Sequence, residues 1–99
     1  MPTVMSMRWK GVTPEQYDEA RKLIDWEGDT PDGDLFHIAA FTDGELRVVD
    51  LWESGEQFQR FVETRLMPGV KQLGIAGEPE VELYEAHAVY APAYQGSVA

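Results

Sequence analysis

The stretch "FHIAAFTDGELRVVDLW", residues Phe36 to Trp52, decides the architecture. Two apolar, β-prone runs flank Asp43-Gly44, a dipeptide that favours a two-residue hairpin turn because both residues tolerate positive φ. The turn also sets the register. With Asp43 and Gly44 as the loop, Thr42 faces Glu45, and each step outward pairs one residue from either side: Ala39 with Val48, His37 with Asp50, Leu35 with Trp52. The predicted strands run from Leu35 to Phe41 and from Leu46 to Glu53. One face of this ribbon carries Phe36, Ile38, Val49 and Leu51, and the other carries Leu35, Ala39, Phe41, Leu46, Val48 and Trp52. Two oily faces call for cover on both sides. His37 and Asp50 interrupt the second face.

Upstream, Thr3 to Trp9 alternates as a strand, with Met5, Met7 and Trp9 on one side and Val4, Ser6 and Arg8 on the other. In "GVTPEQY", Thr13 is an N-cap, Pro14 occupies the first helical position, Gln16 completes a capping box and Val12 is placed to staple onto Tyr17. The helix is predicted to run to about Asp25, with Tyr17, Ala20, Leu23 and Ile24 inward. "DWEGDTPDGD", Asp25 to Asp34, reads as a solvated acidic loop, since its carboxylates depart from the D-x-[DN]-x-[DN]-G spacing of a calcium loop. Downstream, Ser54 caps a second helix with Gln57 at the capping-box position and Phe58, Phe61, Val62 and Leu66 as its stripe. Pro68 is expected to end or kink that helix near Met67, leaving a short turn to Leu73 stopped by Gly74. A last strand is predicted over Glu80 to Tyr90, followed by a loose C-terminal tail, 93–99.

The order βαββαβ, folded with right-handed crossovers, predicts a single α+β domain over 1–92: a ferredoxin-like sandwich with a four-stranded antiparallel sheet and both helices on one face. The other face then needs a second subunit, so a homodimer is expected. A chain of 99 residues suits one core. Its 18 acidic and 8 basic side chains give a formal charge of -10, which argues against nucleic acid and anionic membrane surfaces as partners. The absence of cysteine removes thiolate chemistry and disulfides. "MPTVMSMRWK" has no signal-peptide pattern, and a cytoplasmic location is expected.

The element order, the hairpin and "LWESGEQFQRF", which fits the pattern W-x-S-x-x-x-F, resemble the dimeric α+β barrel proteins, in particular small proteins related to the antibiotic biosynthesis monooxygenases. The resemblance implies homodimers whose sheets meet back to back, with a pocket between sheet and helices in each subunit. It implies in one branch a cofactor-independent oxidation of a phenolic substrate, in which the deprotonated substrate passes an electron to oxygen. The haem-degrading branch places a tryptophan and an iron-binding histidine where this chain has Phe61 and Lys71, so haem is not expected, and no other cofactor or metal is.

Within that frame His37 is the candidate base, Asp50 its orienting partner and Trp52 a wall of the site. Tyr17, Phe61, Tyr84 and His87 are candidate ligand-binding residues, the tyrosines as hydrogen-bond donors to a phenol. His37, His87 and Asp50 lack the spacing of a metal motif. Two functions stand: a cofactor-independent monooxygenase-like or proton-transfer enzyme acting on an aromatic or polyketide-like molecule, and a dimeric ligand-binding or structural protein in which His37 and Asp50 merely pin the register. A pocket of roughly 300 Å³ or more beside His37 favours the first.

Overall fold

The computed structural model describes residues 1–93; residues 94–99, most of the predicted tail, lie outside them. The order is β1 (Thr3–Lys10), α1 (Pro14–Ile24), β2 (Asp34–Thr42), β3 (Glu45–Trp52), α2 (Gly55–Phe61), a π-helical turn (Val62–Leu66), α3 (Met67–Leu73) and β4 (Glu80–Glu85). The sheet is antiparallel, in the order β2-β3-β1-β4. This is the ferredoxin-like α+β arrangement that the element order implied.

Local chemistry explains most boundaries. Thr13 and Gln16 form a reciprocal capping box at the start of α1, and Asp25 ends it in the left-handed region. Asp43 at φ 53° and Gly44 at φ 72° make the hairpin turn. The register follows from it: Thr42 pairs with Glu45, Ala39 with Val48 and His37 with Asp50. Ser54 caps α2 by accepting from the Gln57 amide.

Two expectations need correction, and a third stands with its cause made plain. Leu35 does not face Trp52. The register slips between Asp34 and Phe36, so that Asp34 pairs with Trp52 and Leu35 is the extra residue of a bulge, 51% exposed. The irregularity expected near Met67 is a π-turn, and the short helix expected from Pro68 to Leu73 is α3, with Pro68 in its first turn. A proline lacks the amide hydrogen that an α-turn needs, and here the preceding π-turn loosens the ladder so that the chain continues into α3, which Gly74 closes in the left-handed region. The last strand stops at Glu85 rather than Tyr90. The Ala86 amide still donates to the carbonyl of Pro2 at 2.8 Å, the next rung of the same register, but Pro2 has no amide hydrogen to return and β1 supplies no further partner, so the ladder ends there.

The core lies between the helices and the sheet face bearing Met5, Met7, Trp9, Leu46, Val48 and Trp52, with Phe58 and Val70 packed on it from the helices. Of the predicted α1 stripe, Ala20 and Ile24 are buried, whereas Leu23 stays 42% exposed. Gly69 lets α3 approach α1 closely: a Cβ there would stand 2.6 Å from Cγ1 of Ile24. Among the described residues the opposite sheet face has no cover. It presents Ile38 and Val49, paired midway along β2 and β3 and about half exposed, and at the hairpin end the Glu45 carboxylate, held by Arg8 at 3.1 Å and Arg47 at 3.4 Å.

Candidate functional site

Strand alternation aims His37 and Asp50 at the helices, on the core side of the sheet. His37 Nδ1 and Asp50 Oδ1 are 2.6 Å apart, and the second carboxylate oxygen accepts from Trp52 Nε1 at 3.0 Å. From α1, the Tyr17 hydroxyl reaches His37 Nε2 at 2.7 Å. An ionised Asp50 can only accept, so it fixes the neutral tautomer: His37 donates from Nδ1 to Asp50, and Nε2 accepts from the Tyr17 hydroxyl. Every donor in this chain points toward Asp50, whose side chain is 8% exposed, against 25% for His37. Among the described residues no buried side-chain nitrogen or oxygen lacks a hydrogen-bond partner.

Aromatic rings enclose the network. Tyr17 stacks parallel to His37 at 6.1 Å between centroids, and Trp26 leans over both, 5.4 Å from His37 and 5.8 Å from Tyr17. Trp52 contacts Phe58 and Phe61, each at 5.5 Å. Trp26 belongs to the acidic loop, whose entrance is held by Arg65: its guanidinium donates to the carbonyl of Ile24 at 2.8 Å and lies over the Phe61 ring. The helices and sheet leave a largely apolar cavity of about 70 Å³, lined among others by Tyr17, Trp26, Asp34, His37, Asp50 and Phe61. That is well under the roughly 300 Å³ set above as the mark of a substrate pocket, and under the ~150 Å³ at which a dry engineered cavity takes up benzene.

The electrostatics of the cavity come from its depth. Burial, with help from the charge of Asp50, pushes the Asp34 carboxyl up to about 6, against opposing pulls from His37 and the Phe36 amide. Burial likewise pushes Tyr17 up to about 12, so its phenol keeps its proton through the neutral range. The nearby Arg21 opposes that rise, but its guanidinium is paired with Glu27.

The structure thus gathers Tyr17, His37, Asp50, Trp52 and Phe61 around one cavity. It does not bring Tyr84 or His87 there. Tyr84 pairs with Val4, whose side chain alternates to the uncovered face, because the next residue, Met5, takes the core side with Met7 and Trp9. His87 lies beyond the end of β4 and is exposed. Among the described residues no three metal-ligating side chains stand close enough to hold an ion. Two cavity residues escaped the sequence reading. Trp26 was hidden in a loop read as solvated, though a tryptophan among five carboxylates was a signal of burial. Asp34 was hidden by the bulge.

No protein-family profile matches the chain, and no curated protein matches it. Solved structures do. An alanine variant of SnoaB, a cofactor-independent oxygenase from Streptomyces nogalater, superposes with a TM-score of 0.65 at 15% identity, covering 89% of this chain and 95% of that one. The fold is that of the antibiotic biosynthesis monooxygenase-like proteins. A monooxygenase-like protein of that group from Caulobacter crescentus gives 0.64 at 20% identity over 88% of this chain and 91% of its own. The de novo designed protein Foldit4 also matches, at 0.59 and 20% identity over 88% of this chain and all 100% of its own. A backbone reached by design as well as by monooxygenase-like proteins carries no activity by itself, so function must be argued from the site.

Proposed function

We propose that the chain is a cofactor-independent monooxygenase-like or proton-transfer enzyme, acting as a homodimer on a small aromatic molecule bound between sheet and helices. One observation carries this reading: the hydrogen-bonded chain from Tyr17 through His37 to Asp50 ends in an apolar, aromatic cavity. His37 is the base. A phenolic ligand either displaces the Tyr17 hydroxyl from Nε2 and gives its proton to His37 directly, or gives it to the Tyr17 oxygen while the tyrosine passes its own proton on. Both routes leave a phenolate and an imidazolium, and Asp50 stabilises the imidazolium. The phenolate is then the electron-rich species that can reduce dioxygen without a cofactor.

The cavity is too small for a ring as it stands, so binding requires Trp26 to move, and Trp26 sits on a loop rather than within the sheet. A second reading has its own support. All polar atoms of the network are satisfied internally and the cavity is small, which suits a dimeric protein that binds ligand without turnover, or a purely structural pair. A thermal-shift screen with phenols and quinols, with haem as the contrasting probe, separates a ligand site from a structural pair, and dioxygen consumption with a phenol that binds separates turnover from binding alone. The enzyme reading expects stabilisation by phenols that is lost in His37→Ala; an unchanged ligand response in that variant would remove His37 from the site.

A further inference from the structure

The bulge at Leu35 has a chemical consequence for what the cavity can hold. Without it, strand alternation would place Leu35 opposite Trp52 and complete an apolar wall. With it, Asp34 takes that position and a carboxyl group enters the cavity on the same strand as His37. The placement is fixed from both sides. The Asp34 amide donates to the Pro31 carbonyl at 3.1 Å, and the neighbouring Gly33 carbonyl accepts from the Glu53 amide at 2.8 Å, tying the loop end to the end of β3.

The cavity then has two carboxyl groups of different standing. Asp50 has both oxygens committed, to His37 and to Trp52. Asp34 accepts from the Phe36 backbone amide, keeps further lone pairs that no side chain of the network occupies, and feels both Asp50 and His37. Among the described residues, no lysine or arginine lines the cavity, and the cation nearest Tyr17, Arg21, is paired with Glu27. An anionic ligand would therefore bring a third negative charge into an apolar space with no counter-charge, a severe cost. A ligand with a second hydrogen-bond donor would find an acceptor waiting.

Resting on the functional reading above, we propose that Asp34 is the specificity-determining residue of the cavity: it accepts a hydrogen bond from a second donor on an uncharged aromatic ligand, so that a dihydroxyarene is selected over its monohydroxy ether. His37 takes the proton of one hydroxyl, and Asp34 holds the other.

Calorimetric titration with three probes tests this: resorcinol, 3-methoxyphenol and 3-hydroxybenzoate. The wild-type protein is expected to bind resorcinol at least ~10-fold more tightly than 3-methoxyphenol, the size of one hydrogen bond to a charged group, and not to bind 3-hydroxybenzoate. Asp34→Asn is expected to bring the two phenols to within a few fold, while 3-hydroxybenzoate stays excluded because Asp50 remains and no cation among the described residues lines the cavity. Asp34→Ser, read beside it, keeps a small polar group at the head of β2 should the asparagine variant fold poorly. If both variants preserve the wild-type ratio while His37→Ala weakens both phenols, the role of Asp34 is overturned and the base site stands. If the wild-type protein binds none of the probes, the ligand site is overturned and this inference with it.

Discussion

Replacing His37 by alanine is the sharpest test of the pair at the centre of the cavity. The substitution strips Asp50 of its 2.6 Å partner and the Tyr17 hydroxyl of its 2.7 Å acceptor in one step. Removing one member of a buried pair typically costs about 3 to 5 kcal/mol. Two features put this case at the lower end. The His37 side chain is 25% exposed, so water can reach the space it leaves, and Asp50 keeps its bond from the Trp52 indole. The expected loss is about 3 kcal/mol, which for a domain of this size corresponds to a fall in melting temperature of roughly 12 to 24 °C. Scanning calorimetry on the purified variant reads it directly. Coupling supplies the control: His37→Ala combined with Asp50→Ala is expected to lose less than the sum of the two single losses, by about 1 to 3 kcal/mol, because the second change removes the stranded carboxylate. Additive losses, or a single-variant shift of only a few degrees, would refute the pair as an energetic unit. A large loss of stability with an unchanged response to phenols would leave the pair intact and sink the catalytic reading.

Asp34→Asn is expected to stabilise the protein at neutral pH. The folded-state pKa of Asp34 is raised to about 6, so the folded state binds the proton more tightly than the unfolded chain; the cost of the carboxylate is absent below the unfolded value and fully present above about pH 6. After discounting for partial exposure, the gain should be about 1 kcal/mol at pH 7.5 and should vanish near pH 4 in paired melts; a difference independent of pH contradicts the assignment. Tyr17→Phe should lower stability by about 1 kcal/mol, the usual worth of one hydrogen bond, and should delete from the ultraviolet titration the tyrosine that ionises at about pH 12. Finally, light scattering at micromolar concentration is expected to give twice the chain mass, and Ile38→Asp with Val49→Lys, both on the uncovered sheet face, should halve it; a monomeric wild-type protein would refute dimerisation through that face.

The parts of this molecule legible in the sequence are those fixed by local chemistry. Asp43-Gly44 dictates a turn, the turn dictates a register, and the register alone brings His37 opposite Asp50. The caps at Thr13 and Ser54 likewise announce α1 and α2 without reference to the rest of the fold. What stayed hidden depended on packing. Both faces of β2 are apolar, so the alternation of Leu35 and Phe36 cannot reveal where one residue is skipped, and a bulge leaves no mark in a two-sided pattern. Pro68 marks a break by propensity, but the form of that break, a π-turn supported by Arg65 against the end of α1, comes from packing. The same limit applies to the chemistry. His37 and Asp50 could be read because they pair across a hairpin, but the groups that give the pair its surroundings come from elsewhere in the chain. Tyr17 arrives on α1, Trp26 on the loop after it, and Asp34 by the bulge. Asp34 carries the most consequence, because in the predicted register the residue opposite Trp52 was a leucine, and the wall there would have offered a ligand nothing to recognise.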